Sequence, residues 1–156
     1  MDAPPKGPYV QAALFADMLL EDKTGALSAI RIIDRITHVI QGPSPPDDLP
    51  PFNRQLNALI ALKPGGARGR QTFKLWQESP DGQRAVVGEG TFHFSGAPNT
   101  GANLMLALNV TFRQEGLFYF DVEVDGSILT RMPIEVLYNR VTTGRGPASL
   151  EDPPSQ

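Results

Sequence analysis

Cysteine is absent from the 156 residues, and histidine and tryptophan are scarce, at two and one. The first absence excludes a disulfide framework, a thiolate metal site and a cysteine nucleophile together. The two histidines, His38 and His93, fall in separate segments with no second imidazole at ligand spacing and no carboxylate cluster to complete a metal site. Each reads as a surface or strand-end residue. There is no Gly-x-Ser-x-Gly elbow either, since Ser28, Ser79, Ser95 and Ser127 sit in or near turns or strands. Only a triad assembled across the fold would escape this reading. No catalytic, cofactor-binding or metal-ligating residue is singled out, and no cofactor is expected.

An excess of positive charge is lacking too. Seventeen acidic residues against fourteen basic ones give a net charge of -3 and a pI near 5.3. Such a chain has no long-range attraction to nucleic acid or to an anionic bilayer, so neither is expected as a partner. No apolar run approaches 18 residues, which excludes a helical membrane span, and the opening MDAPPKGPYV lacks the basic region and apolar run of a secretory signal. A soluble cytoplasmic protein is the expectation.

Turn formers are what the chain has in quantity. Fifteen glycines and fifteen prolines, with 40% hydrophobic residues, favour an all-β chain, and the length suits one domain that buries its own core. Residues 1–8 hold Pro4, Pro5 and Pro8, and residues 142–156 hold Gly144, Gly146, Pro147, Pro153 and Pro154. Both ends read as flexible tails around a folded unit over 9–141. The clearest element is a hairpin over 116–137 (GLFYFDVEVDGSILTRMPIEVL). Phe118, Phe120, Val122 and Val124 alternate with Tyr119, Asp121 and Glu123, and Asp125-Gly126 supplies a two-residue turn whose positive φ glycine adopts at low cost. Pro133 has no N–H to give, which predicts an edge position or a bulge in the returning strand.

Over 9–40 the period is ambiguous. Ala12, Ala13, Phe15, Ala16, Leu19 and Leu20 fit a helical face, as do Leu27, Ile30, Ile33 and Ile40. The shared parity of Ile30, Ile32 and Ile36, and the turn chemistry of Asp22-Lys23-Thr24-Gly25, favour a hairpin instead. Asp34 then shares the isoleucine parity, where an unpaired carboxylate would be costly. Either the strand bends there and Asp34 meets solvent, or Arg31 or Arg35 pairs it. Residues 41–51 (QGPSPPDDLPP) read as a stiff crossing between sheets, with a proline-rich recognition peptide as the sharper reading.

Beyond that crossing, Leu56, Ala58, Ile60 and Leu62 share one parity. The following KPGGARGR, with Lys63, Arg68 and Arg70, invites a phosphate-binding reading, but it lacks the Gly-Lys-Ser/Thr ending and leads into a strand, so a solvated turn is favoured. Pro80-Asp81-Gly82-Gln83 closes another hairpin, with Gly88, Gly90, Phe92 and Phe94 on one face of its second strand and the glycines marking a bulge or a close approach. Leu104, Leu106, Leu108, Val110 and Phe112 then make the strongest single strand, placed at the centre of a sheet. Asp121, Glu123 and Asp125 could suggest calcium, yet they are strung along one strand too far apart to gather around one ion, and they read as a solvated face.

About eight strands and one long crossing fit a two-sheet antiparallel β-sandwich. Its inner faces should come from Leu14, Ile30, Ile32, Leu56, Ile60, Leu106, Leu108, Phe118, Phe120, Val122, Ile134 and Val136. The run ALFADMLLEDKTGALSAIRIIDRI, the proline-punctuated crossing, the turn at PDGQ and the closing GLFYFDVEVDG together resemble a family of small bacterial proteins of unknown function. Ala13, Leu14, Asp17, Gly25 and Ile30 to Ile33 are the matching positions, and the likeness spans most of 9–138. That resemblance implies a compact β domain and brings no catalytic residue with it. Two functions follow as expectations: a non-catalytic protein-binding or self-assembly module, and alternatively an enzyme or small-ligand carrier with a pocket between the sheets or at a loop end.

Overall fold

The computed structural model describes residues 2–144, so the part of the predicted C-terminal tail from 145 onward lies outside the described residues. Those residues form nine strands and no helix: β1 Tyr9–Glu21, β2 Leu27–Ile33, β3 Arg35–Gly42, β4 Phe52–Lys63, β5 Gly69–Glu78, β6 Arg84–Phe94, β7 Ala102–Phe112, β8 Gly116–Val124 and β9 Ser127–Thr142. The all-β expectation holds, and the helical alternative over 11–40 falls. Among the described residues no helix is long and apolar enough to cross a membrane. A first sheet has the order β2-β1-β4-β7 and a second the order β3-β9-β8-β5-β6.

The predicted turns form for the reasons given by their residues. Asp22 accepts hydrogen bonds on its carboxylate from the Thr24 N–H, the Thr24 hydroxyl and the Ala26 N–H, and Gly25 takes φ 85°. At the last hairpin Asp125 and Gly126 have φ 46° and 84°, the pair of positive values that lets two residues reverse a twisted strand. The Asp125 carboxylate also accepts the Thr72 N–H at 2.8 Å, which fastens this turn to the neighbouring β5.

Three expectations about pairing need correction. The pairing is not wholly antiparallel, because β3 runs parallel to β9 from Arg35↔Glu135 to Gly42↔Thr142. The sequence reading took 27–40 as one strand; the chain breaks at the exposed Asp34 and passes from the first sheet to the second, and a crossover of this kind is what permits parallel pairing. Arg31 pairs with Asp17 and Arg35 with Glu135, so neither carries Asp34. The strand over 102–112 is not central: β7 ends its sheet, while β1 and β4 occupy the middle. A Cβ on Gly88 of β6 would stand 3.4 Å from Leu108 Cδ2, so the second sheet closes over β7 at that corner. Finally, β9 is flanked by β8 and β3 and is no edge, and its irregularity lies opposite Val122/Glu123. Pro133 is accommodated because β3 pairing begins only at Glu135, so its missing N–H interrupts no ladder on that side.

The core lies between the inward faces of the two sheets. Phe15 of β1 meets Phe120 of β8 edge-on at 4.8 Å, and Phe112 of β7 meets Phe118 of β8 at 5.0 Å. Leu56, Ile60, Leu108, Phe118, Phe120, Val122, Ile134 and Val136 are buried as predicted, each large one contributing roughly 1.5–3 kcal/mol by area. Leu106 is half-buried against the core, but Leu14 is not an inner-face residue: its neighbour Phe15 points inward, so Leu14 pairs with Leu59 on the outward face. Ile30 and Ile32 are not core residues, at 42% and 63% exposed. The register Phe15↔Ile33 sets Ile33 beside the inward Phe15, and alternation then turns Ile30 and Ile32 to the other face.

The expected close approach at the β6 glycines is present: the Phe73 ring lies over Gly90, where a Cβ would come within 2.9 Å of it. The proline-rich stretch does cross from the second sheet to the first, held by the Tyr138 hydroxyl donating to the Pro46 carbonyl at 2.7 Å, by an Arg140–Asp47 ion pair and by the buried Leu49. In the N-terminal stretch the Lys6 carbonyl accepts the Gly66 N–H at 2.8 Å.

Candidate functional site

The outward face of the first sheet is the feature that the core does not explain. Cross-strand partners share a face, so the register defines it: Ala12↔Ala61, Leu14↔Leu59 and Ala16↔Asn57 between β1 and β4, Ala61↔Asn103, Leu59↔Met105 and Asn57↔Ala107 between β4 and β7, and Met18↔Ile30 and Ala16↔Ile32 between β1 and β2. Leu20↔Ser28 and Gln55↔Asn109 continue it at the two ends. Every one of these positions is apolar or neutral; the one charged strand residue of this parity is Lys63 at the end of β4, paired with Tyr9, and its ammonium donates to the Asn99 carbonyl at 3.2 Å. Five of the large hydrophobic side chains that the fold leaves exposed are here: Met18, Leu20, Ile30, Ile32 and Met105.

Neighbouring side chains shelter the middle of this face without covering it. Ala16, Leu59 and Ala61 are buried although they point away from the core. A hollow of about 270 Å³ opens between Met18 and Met105, with Asn57 and Ala107 in its lining. The Asn57 amide is held there by donating to the Asp17 carbonyl at 2.8 Å. Asp17 itself belongs to the opposite face, where Arg31 and Arg54 meet its carboxylate at 2.7 and 3.6 Å.

On the outward face of the second sheet the chemistry is reversed. Asp121, read from the sequence as part of a solvated face, is 3% exposed. Its carboxylate accepts from Arg131 through Nε at 2.6 Å and Nη2 at 2.9 Å, and from Arg84 at 3.2 Å, while Arg131 also reaches Glu78 at 3.3 Å. The two-pronged hydrogen bond from Arg131 holds the Asp121 carboxyl below the ordinary carboxylate range, and the nearby positive charges add to this while burial opposes it. The same contact keeps Arg131 protonated. Arg131 lies over the Tyr119 ring at 4.3 Å and Arg84 over the Trp76 ring at 4.8 Å. This network buries a carboxylate by surrounding it with donors, which is a structural role.

The other sequence candidates are dispersed. His38 stacks on Phe52 at 4.1 Å, and His93 is exposed on β6 opposite Arg70. A hollow of about 330 Å³ between the β5–β6 and β7–β8 turns is lined by Gln77, Ser79, Asp81, Gln83, Arg84, Thr111, Arg113 and Gln114, with neither histidine. Asp34 lines a different hollow with Ile32, Ile33 and Arg131. In the glycine-rich loop the Gly66 and Ala67 N–H groups are taken by the Lys6 and Pro64 carbonyls and so are not available to an anion. Asp121 and Asp125 are occupied as described, and among the described residues no group of three or more His, Asp or Glu is placed to hold a metal ion.

No protein-family model matches the chain, and no curated protein does. Among solved structures, the Pseudomonas fluorescens alkylpurine DNA glycosylase AlkC bound to DNA containing an abasic site analog is similar at a TM-score of 0.40 and 9% identity. The likeness covers 84% of this chain and 30% of that one, and similarity at this level carries no functional inference.

Proposed function

We propose that the protein is a non-catalytic binding or assembly module, built as a β-sandwich, whose contact surface is the outward face of its first sheet. The sandwich reading is supported by the single core shared between the inward faces of both sheets. The functional reading rests on one observation: a sheet face whose one charged strand residue is Lys63 at its end, in a chain one-fifth of whose residues are charged. Soluble sheets that face water on one side normally alternate apolar-in with polar-out. Here the middle stretches of β1, β4 and β7 (Leu14 to Ala16, Ala58 to Leu62 and Leu104 to Leu108) are apolar at both parities, the pattern of strands covered on both sides.

The absence of native cysteine provides the test. A single thiol is placed on the first sheet by Met105→Cys, or on the second by Glu89→Cys, and its maleimide labelling is compared in living cells and in dilute purified protein. The reading expects slowed labelling in cells at the first position alone. Equal rates in both settings at position 105 would sink it.

A further inference from the structure

Resting on that reading, we infer that the partner covering this face is a second copy of the chain, laid sheet on sheet about a two-fold axis. A surface whose middle carries no ionic group, with Lys63 at one end only, can be turned onto itself about a central axis without setting like charges together or stripping water from them. Asn57, on the central strand β4, is an amide, which both donates and accepts and can therefore meet a copy of itself. The face also carries both halves of a fit: the hollow between Met18 and Met105, and the projecting Ile32.

Size agrees with a reversible pair. Four strands about 4.8 Å apart, with outward side chains about 6.7 Å apart along each, make a face of roughly 19 by 30 Å. Two copies would bury about 1,100 Å², the lower end for a specific dimer and too little for an obligate one. Residues 145–156 (RGPASLEDPPSQ) bring only one large apolar side chain, Leu150, and are poorly suited to cover this face. A bilayer is disfavoured because the face carries a single basic strand residue, Lys63 at its end, and the net charge is -3.

The test is sedimentation of the full chain from about 1 to about 200 µM, a range that brackets micromolar pairing. The mass should climb from 16.9 kDa toward twice that value. Met105→Lys and, separately, Ile32→Lys should each raise the dissociation constant about a hundredfold, because each enters a two-fold interface twice and about tenfold per side is ~1.4 kcal/mol. Glu89→Gln on the second sheet should leave it unchanged, and circular-dichroism melts confirm that the variants fold. A chain that stays monomeric throughout, or a dimer indifferent to both lysine substitutions, overturns the inference. If the monomer is strict while the thiol of Met105→Cys is still protected in cells, self-pairing is wrong and the contact surface stands with another partner; a strict monomer with an unprotected thiol removes both. Flotation on phosphatidylcholine or phosphatidylserine vesicles that Met105→Lys abolishes would assign the face to a membrane and overturn the dimer.

Discussion

The two outward faces solve the same problem in opposite ways. On the second sheet, charges of both signs are interleaved at Lys74, Glu78, Arg84, Glu89, Glu123 and Arg131, and the carboxylate that sinks among them, Asp121, is fully partnered. That face is complete in water and needs nothing further. On the first sheet the corresponding positions are alanine, leucine, isoleucine, methionine and neutral amides, which water covers poorly. The contrast teaches that the charged residues of this chain are placed, not scattered: they crowd one side and the rims, and leave the middle of the other side without charge.

The comparison can be broken from the charged side first. Asp121→Ala leaves Arg131 and Arg84 without their shared acceptor and should destabilise the fold by about 2 kcal/mol, less than for a wholly buried pair because both guanidiniums keep access to water. Urea unfolding at neutral pH measures it. The same carboxylate dictates an acid dependence. Its folded pKa is lowered, so its stabilisation is fully present above the unfolded value of about 3.9 and is lost as pH falls through the lower folded value. The stability gap between the wild type and Asp121→Asn should therefore be widest at neutral pH and narrow below about pH 4. A gap that widens on acidification would contradict the assignment.

Smaller effects sharpen the contrast. Gly90→Ala pushes a methyl group into the Phe73 ring beneath the second sheet and should cost about 1–2 kcal/mol, read as a lowered thermal midpoint. On the first sheet, Ile30→Thr and Ile32→Thr keep β-branching while removing exposed apolar surface; each should change the stability of the unpaired chain by less than about 0.5 kcal/mol. Smallest of all is the response to salt: pairing through a face with no charge in its middle should hold nearly steady between about 0.05 and about 0.5 M salt, where a charged interface would weaken. Sedimentation at the two ionic strengths decides it.

Much of the architecture was legible because turns and alternation are local. Asp125-Gly126, Asp22 to Gly25 and Ser79 to Gln83 fold as their side chains dictate, the Gly82 N–H closing the last by donating to the Ser79 carbonyl at 2.8 Å. The inward parities of β4, β7 and β8 were equally plain. The apolar outward face was not read from the sequence although its signal was present: ALFADMLL apart from Asp17, NALIAL apart from Asn57, and LMLAL are apolar at both parities, and Leu14, Ile30 and Ile32 were assigned to the core. A strand that is apolar on both sides needs two covers, and a search for one core finds only the first.

The linear order of residues by itself determined that this chain would be strands and tight turns, free of thiol chemistry, with no surplus of positive charge. Those properties depend on composition and on neighbours two to four positions apart. Only the tertiary structure decided that the chain changes sheets at Asp34, that β3 lies parallel to β9, that Asp121 is buried among arginines and that the isoleucines of β2 face outward. Each of these depends on register between segments 10 to 100 residues apart, and a shift of one residue there exchanges the inside of a strand for its outside.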